Sequence, residues 1–438
     1  MRCTLPLKPI LLAAAAVLAL AVTPRLAATE PEAQLPLDEL RTFADVFNQI
    51  RAGYVEEIDD STLLEYAIQG MLSGLDPHSV YMNKDEFSEL QEGTSGEFNG
   101  LGLEVGVENG FITIISPIDG SPAADAKLQS GDVILKLDNA PVQGMSLNEA
   151  IEQMRGPKGS KIELTIGRPG ESQPFTVTLV RDTIKMASVR GRWLEPGYAY
   201  IRVAQFQVDT AEDVAKALQK LQDTGKIKGL VLDLRNNPGG VLGASVGVAD
   251  LFLDGGPVVY TEGRLPNSDM HFDAHPGDTT DGAPMVALIN AGSASASEIV
   301  AGALQDRGRA VIMGSTSFGK GSVQTILPLS ESRAIKLTTA RYYTPNGRSI
   351  QAEGIVPDIV VERAQVTAYN DLEQITEADL SGHLGNGDGE SDLRKSRASS
   401  AKAATALLTS DNQLYEALSL LKGINILGLR DKEAADSM

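Results

Sequence analysis

The sequence predicts a multidomain protein: a small, mostly β module followed by an α/β domain on a substantially parallel sheet, with helical segments at both ends. Three observations carry this reading. The chain has 438 residues, too many for one ordinary hydrophobic core. Short apolar runs separated by Asn-Gly, Gly-Asp and Pro-Gly turns fill the stretch from Gly96 to Asp182. From Gly197 onward, apolar runs of strand length alternate with segments of helical periodicity, the pattern of crossover units.

In chain order, residues 1–28 read as a secretory signal. Arg2 and Lys8 precede an apolar run from Ile10 to Val22, and Leu26-Ala27-Ala28 offers small residues for cleavage. Residues 29–95 follow as a helical region. Leu40, Phe43, Phe47 and Ile50 share one helical face, as do Leu64, Ile68, Met71 and Leu75, and Asp76-Pro77 stops the second helix. The β module spans 96–182, with strands at 102–107, 111–115, 133–137, 161–166 and 175–179 and one helix from Ser146 to Met154.

The α/β domain spans 183–365. Its strands are expected at 198–206, 229–234, 285–290, 310–314, 323–327 and 335–342. Its helices are expected after Thr210-x-x-Asp213, read as a capping box, near 244–253, and from Ser295 to Gln305. Residues 366–438 contain a Gly-, Ser- and Asp-rich linker near 381–402. A last helix follows Asp411, with Leu414, Leu418 and Leu421 on one face.

The formal net charge is −20, which argues against binding nucleic acid or anionic lipid by electrostatics. The only cysteine, Cys3, lies in the leader, so the expected mature chain has no thiol for catalysis, disulfides or metal. Its expected location is the periplasm or cell exterior, with membrane association if the leader is retained.

Candidate chemistry is concentrated in two segments. Gly292-Ser293-Ala294-Ser295-Ala296-Ser297-Glu298 places hydroxyls where a loop becomes a helix. Ser295-x-x-Glu298 reads as a capping box, yet a helix N-terminus also supplies N–H groups that stabilise an oxyanion beside a serine. Spacing alone leaves Ser293, Ser295 and Ser297 equivalent. The second segment holds Lys320 between Gly319 and Gly321, with Gln324 within reach of the amine. A lysine whose pKa is lowered by burial can activate a hydroxyl.

Gly314 to Lys320 also matches a phosphate-loop pattern. However, Gly321 stands where Ser or Thr is needed, and a strand pattern follows instead of a helix. Asp233-Leu-Arg-Asn-Asn-Pro-Gly-Gly240 ends a strand in a turn able to expose N–H groups. Asp306 closes the serine's helix. His271 and His275 are four apart but are read as loop residues, so no metal site is expected.

Gly-Ser-Ala-Ser-Ala-Ser-Glu-Ile, Phe-Gly-Lys-Gly-Ser-Val-Gln, Tyr-Tyr-Thr-Pro-Asn-Gly-Arg-Ser-Ile-Gln and Gly-Ile-Val-Pro-Asp occur in that order. With Gly-Leu-Asp-Pro-His-Ser near residue 76, they resemble the carboxyl-terminal processing (tail-specific) proteases across nearly all of the mature chain. The resemblance implies a ClpP/crotonase-like α/β protease core with an inserted PDZ domain at 96–182. It implies Ser295 as nucleophile, Lys320 as general base, Gln324 orienting the lysine and Asp306 in support. The oxyanion hole would use the N–H of Ala296 and one from Gly239 or Gly240. Gly100-Leu101-Gly102-Leu103 would grip a terminal carboxylate while the peptide adds as a strand.

No cofactor is implied. The expected partners are proteins with accessible apolar C-terminal tails, an activator protein, and a second copy joined through the terminal helices. The rival function is a PDZ adaptor with a silent hydrolase core, against which Ser295, Lys320 and Gln324 occurring together weigh. Arg155, just after the module's helix, is a candidate link between tail binding and the protease core.

Overall fold

The computed structural model describes residues 35–367 apart from 109 and 119, together with 377, 380–382, 384 and 404–436. The expected leader and most of the linker lie outside the described residues. Contacts divide the chain into two units after Gly70. The first contains α1 (Leu37–Gly53) and the start of α2 (Asp60–Ser73). Asp38 and Glu39 in the first turn of α1 and Arg51 in the last suit the helix dipole, but no side chain of α1 is buried. Leu40, Phe43, Val46 and Ile50 are all exposed.

The second unit opens with β1 (Val80–Met82) and α3 (Lys84–Ser95), which hydrophobic periodicity did not predict. Asn83 caps α3 by accepting from the N–H groups of Asp85 and Glu86, while Glu86 accepts from the N–H of Asn83. The β module follows, with β2 (Glu97–Gly100), β3 (Leu103–Glu108), β4 (Phe111–Pro117), the single turn α4 (Pro122–Asp125), β5 (Val133–Leu137) and β6 (Ala140–Pro141). It continues through α5 (Leu147–Met154), β7 (Lys161–Gly167), β8 (Phe175–Val180) and β9 (Asp182–Lys185).

The antiparallel sheet runs β3-β4-β5-β7-β8, β6 adds to β5, and β2 pairs with β9 where the chain enters and leaves. Ile114, Ile134, Leu164 and Ile166 fill its core with Ala150 from α5. Ser146 and Glu149 form the capping box that starts α5, a cap of about 1 kcal/mol. Strand β3 is an edge of this sheet, so one row of its backbone groups is free to take another strand.

In the α/β domain one sheet has the order β10 (Val189–Glu195), β11 (Tyr198–Val203), β12 (Gly229–Asp233), β15 (Met285–Ile289), β16 (Val311–Gly314), β19 (Ile359–Val360). All its pairings are parallel except that of β10 with β11. Every residue of β12 and β15 is buried, as expected of a parallel sheet covered on both faces. Leu230 and Leu232 point to the core shared with α6 (Thr210–Gln222), α7 (Leu242–Asp250) and α8 (Ala296–Asp306). Val231, Val286 and Leu288 alternate to the other face. There Leu414, Ala417 and Leu421 of α9 (Asn412–Asp436) cover them, on the face the sequence assigned to that helix.

Three expectations change. The strands near 323–327 and 335–342 do not extend the parallel sheet. They are β17 (Ser322–Ser330) and β18 (Arg333–Tyr343), in a second, antiparallel sheet with β1, β13 (Gly256–Gly263) and β14 (Met270–Ala274). Thr210 does not cap α6. It is the first helical residue, and its hydroxyl accepts from the N–H of Gln207 at 2.8 Å and meets Ser188 at 2.9 Å. His271 is on β14, stacked on Tyr260 with ring centroids 5.5 Å apart, because the 270–274 segment pairs with β13.

Candidate active site

The loop after β15 turns into α8 at Ser295, whose φ of 55° and ψ of −113° are unusual for a residue with a side chain. Holding such a conformation costs on the order of 1–3 kcal/mol and persists only where its surroundings fix it. They do so through Glu298. Its buried carboxylate accepts from the N–H of Ser295 at 2.7 Å, the carboxylate half of the capping box. The N–H of Glu298 goes to the carbonyl oxygen of Ser295 at 2.8 Å.

The three candidate hydroxyls now separate. Ser293 is fully buried and donates to the carbonyl of Leu234 at 2.8 Å, and Ser297, also fully buried, donates to the carbonyl of Asn237 at 2.9 Å. Ser295 lines a cavity of about 510 Å³, which Ser293 and Ser297 do not. Lys320, Gln324, Lys336 and Tyr342 line the same cavity, with Gly240, Ala296 and residues of α3.

Glu298 also joins the two candidate segments. Besides Ser295, it accepts from the Ser317 hydroxyl at 2.6 Å and from the N–H groups of Gly319 at 2.6 Å and Lys320 at 2.9 Å. The glycine beside Lys320 has a steric cause: a Cβ on Gly321 would stand 2.6 Å from the backbone nitrogen of Gln351. Burial lowers the pKa of Lys320 first, and the Lys336 charge lowers it further. Glu298 and Asp76 pull the other way without cancelling these effects. No hydrogen bond or ion pair engages the Lys320 ammonium among the described residues.

The Tyr342 hydroxyl donates to the carbonyl oxygen of Lys320 and lies against the side chain of Ser295. Burial, then the Glu298 charge, keeps that phenol protonated well above its ordinary range. His78 feels the charge of the lysine. Burial and the positive charge of Lys320 push the imidazole pKa down, outweighing the pull of Asp76, so the ring favours its neutral form. Glu298's bridging role, Lys336, Tyr342 and the Asp76–His78 turn were not singled out from sequence. Glu298, Tyr342 and the turn belong to the motif segments, whereas Lys336 lies in none of them.

The Pro-Gly-Gly turn after β12 packs directly on the serine. A Cβ on Gly239, whose φ is +102°, would lie 2.8 Å from the Ser295 Cβ and 3.0 Å from the Ala296 nitrogen. Of the two glycines, Gly239 has its N–H committed to the Asn237 side-chain oxygen at 2.9 Å. No partner for the N–H of Gly240 or of Ala296 is present among the described residues.

The Gln324 amide nitrogen donates to Ser322 Oγ at 2.9 Å and Thr338 Oγ1 at 3.3 Å, and the side chain lines the cavity with Lys320. One expected role, that of Asp306, differs in the structure. Asp306 does not reach the cavity. It sits at the far end of α8, about 16 Å from Ser295 at ~1.5 Å per residue. There it accepts from Arg348 at 2.7 Å and from the N–H of Asn346 at 3.0 Å, anchoring the loop after β18.

A second groove, of about 160 Å³, lies on the β module between β3 and α5. Phe98, Gly100, Leu101, Gly102, Leu103, Val105, Ile151, Met154 and Arg155 line it. Arg155 pairs with Glu92 of α3 at 2.7 Å and lies over the Phe98 ring. Other residues of the same helix, Glu89, Leu90, Gly93 and Thr94, line the Ser295 cavity. One helix therefore borders both sites.

A β module with a groove beside its edge strand and a cavity lined by Ser295 and Lys320 in an α/β core together point to a PDZ-containing peptidase. The model of peptidase family S41 matches residues 197–361, that of the PDZ domain 89–167, and that of the activating protease CtpB N-terminal domain 19–86. The chain belongs to the carboxy-terminal processing protease family. It is 49% identical over 389 residues to the carboxy-terminal-processing protease of Bartonella bacilliformis, covering 88% of each chain. It is 36% identical to the carboxy-terminal processing protease CtpB of Bacillus subtilis, over 78% of this chain and 71% of that one. Among solved structures, the photosystem II D1 C-terminal processing protease aligns at 31% identity over 74% of this chain and 93% of its own, with a TM-score of 0.43.

Proposed function

We propose that this PDZ-containing processing protease is an exported serine endopeptidase working through a Ser295–Lys320 dyad. The observation that carries it is one cavity holding both side chains, with the single buried carboxylate of Glu298 fixing the backbone of each. Neutral Lys320 takes the proton of Ser295 Oγ as that oxygen attacks the scissile carbonyl. The oxyanion that forms is met by the N–H groups of Ala296 and Gly240, neither of which has a partner among the described residues. Collapse of the tetrahedral intermediate returns the proton to the leaving amine, and water then releases the acyl group. Gln324 supports the lysine from the cavity wall.

The substrate's apolar C-terminal tail adds as a strand to β3 in the groove over Gly100 to Leu103, and the chain reaches the cavity along α3. The Arg155–Glu92 pair is placed to report tail binding to that helix. The exposed apolar face of α1 suits a second copy of the chain. Export predicts that the mature protein begins after Ala28, which N-terminal sequencing of the secreted form would show.

The dyad is tested on an unfolded protein with an apolar C-terminus. Ser295→Ala and Lys320→Ala should each abolish cleavage while leaving tail-peptide binding to the PDZ groove unchanged. Intact cleavage by either variant would reject the assignment.

A further inference from the structure

Asp76-Pro77-His78-Ser79 is a motif that the proposed mechanism leaves idle, yet it is wired into the cavity wall. Asp76 Oδ1 accepts from the N–H groups of His78 at 2.8 Å and Ser79 at 3.0 Å, and Oδ2 accepts from the Ser79 hydroxyl at 2.7 Å. These hydrogen bonds, working against the cost of burial, keep the carboxyl below its ordinary pKa, so it is ionised at neutral pH. The turn then runs into β1, which pairs with β18 in the register Val80–Lys336. This pairing seats Ser79 against β18, where its hydroxyl accepts from the N–H of Thr338 at 3.1 Å.

Thr338 is the hinge of the network. Its hydroxyl meets Asp76 Oδ1 at 3.1 Å on one side and Gln324 Nε2 at 3.3 Å on the other, Gln324 being its cross-strand partner on β17. An ionised carboxylate can only accept, so the single hydroxyl proton of Thr338 must go to Asp76. The oxygen of Thr338 is then left as an acceptor, and only the NH₂ end of the Gln324 amide satisfies it. Ser322 Oγ takes the other amide proton at 2.9 Å. With both protons committed, the Gln324 carbonyl oxygen is the end left for the cavity, and it is an acceptor.

We propose that Asp76 and Thr338 are positioning residues that fix the direction of the Gln324 amide, so that its carbonyl oxygen faces the amine of Lys320. This rests on the reading of Lys320 as base. An amide turned the other way would present N–H groups to an amine that must bind a proton during the reaction, and two donors cannot pair. Position 338 therefore needs a hydroxyl, and position 76 needs a group that cannot donate.

A double-mutant cycle tests this with the full-length mature enzyme and the same unfolded substrate. Thr338→Val should lower kcat roughly three- to tenfold with KM nearly unchanged, the range expected for one net hydrogen bond. Thr338→Ser should retain wild-type kcat. In a Gln324→Ala enzyme, Thr338→Val should cost nothing further. If Thr338→Val does not fold, Asp76→Asn runs the same cycle, because its amide can donate to Thr338 and reverse the chain. An equal loss with and without Gln324, or a Thr338→Ser enzyme as slow as Thr338→Val, overturns the proposal. A fully active Lys320→Ala enzyme rejects the base itself and this inference with it, a failure recognised without the cycle.

Discussion

Lys320 must be neutral to accept a proton, so its charge state sets the acid side of the activity profile. Burial and Lys336 both favour the neutral amine, and activity falls as pH drops through the lowered pKa of Lys320. Besides Lys336, the charged or titratable groups around it are Glu298, Asp76, His78, Tyr342 and Glu89. Lys336→Gln removes a positive neighbour and makes protonation of Lys320 easier. Its acid limb should move to higher pH while the alkaline plateau of kcat/KM stays near wild type. Added salt, by screening Lys336, should move the wild-type limb the same way. An unmoved limb in Lys336→Gln would rule out this coupling. Sequence could show Lys320 flanked by glycines but not this neighbour, since Lys336 reaches the cavity only through the pairing of β18 with β17. Spacing alone likewise leaves Ser295 one hydroxyl of three, chosen only by the family resemblance, and the structure adds a physical reason, since Ser293 and Ser297 are spent on carbonyls.

At the scale of elements, the first turn of α8 and the segment 317–320 are held together through Glu298. Replacing Glu298 by Ala strands the N–H groups of Ser295, Gly319 and Lys320 and the hydroxyl of Ser317. Each unsatisfied buried donor costs about 1–3 kcal/mol. Glu298→Ala should therefore lose cleavage and lower the melting temperature, whereas Glu298→Gln, which keeps the volume, should lose less of both. A Glu298→Ala enzyme with unchanged melting and activity would show that these contacts are not needed. The helix was legible because its apolar period and its cap lie in consecutive residues. The buried strands β12, β15 and β16 were legible because they are continuous apolar runs. Strand β10, the β13–β14 pair and helix α3 were not, because their half-exposed residues carry too weak a period. That β17 and β18 leave the parallel sheet is decided by partners far away in sequence, which no local pattern records.

Across the whole molecule, the last helix closes the sheet face that α6, α7 and α8 leave open. It is pinned beside the turn that packs on Ser295. Arg235, two residues past the end of β12, is held by Asp233 and donates to both carboxylate oxygens of Asp411, at 2.8 and 2.7 Å. Gln413 accepts from the same guanidinium at 2.9 Å, and its amide donates to the carbonyl of Val361 at 2.6 Å. Burial raises the pKa of Asp411, but the hydrogen bonds and charge of Arg235 outweigh it and hold the carboxyl below its ordinary value. A depressed folded-state pKa contributes stability that is present above the unfolded value. That contribution is lost as pH falls through the folded one. Asp411→Asn keeps the shape but not the charge, so it should melt below wild type near neutral pH, a loss of about 1–3 kcal/mol. The gap should close on acidification, as the wild-type carboxylate takes up its proton and becomes equivalent to the amide. Thermal melts of both proteins from neutral to acid pH measure this. A gap that stays constant across that range would mean that Asp411 acts by packing alone, and that the charge of Arg235 is balanced by Asp233 without help from the C-terminal helix.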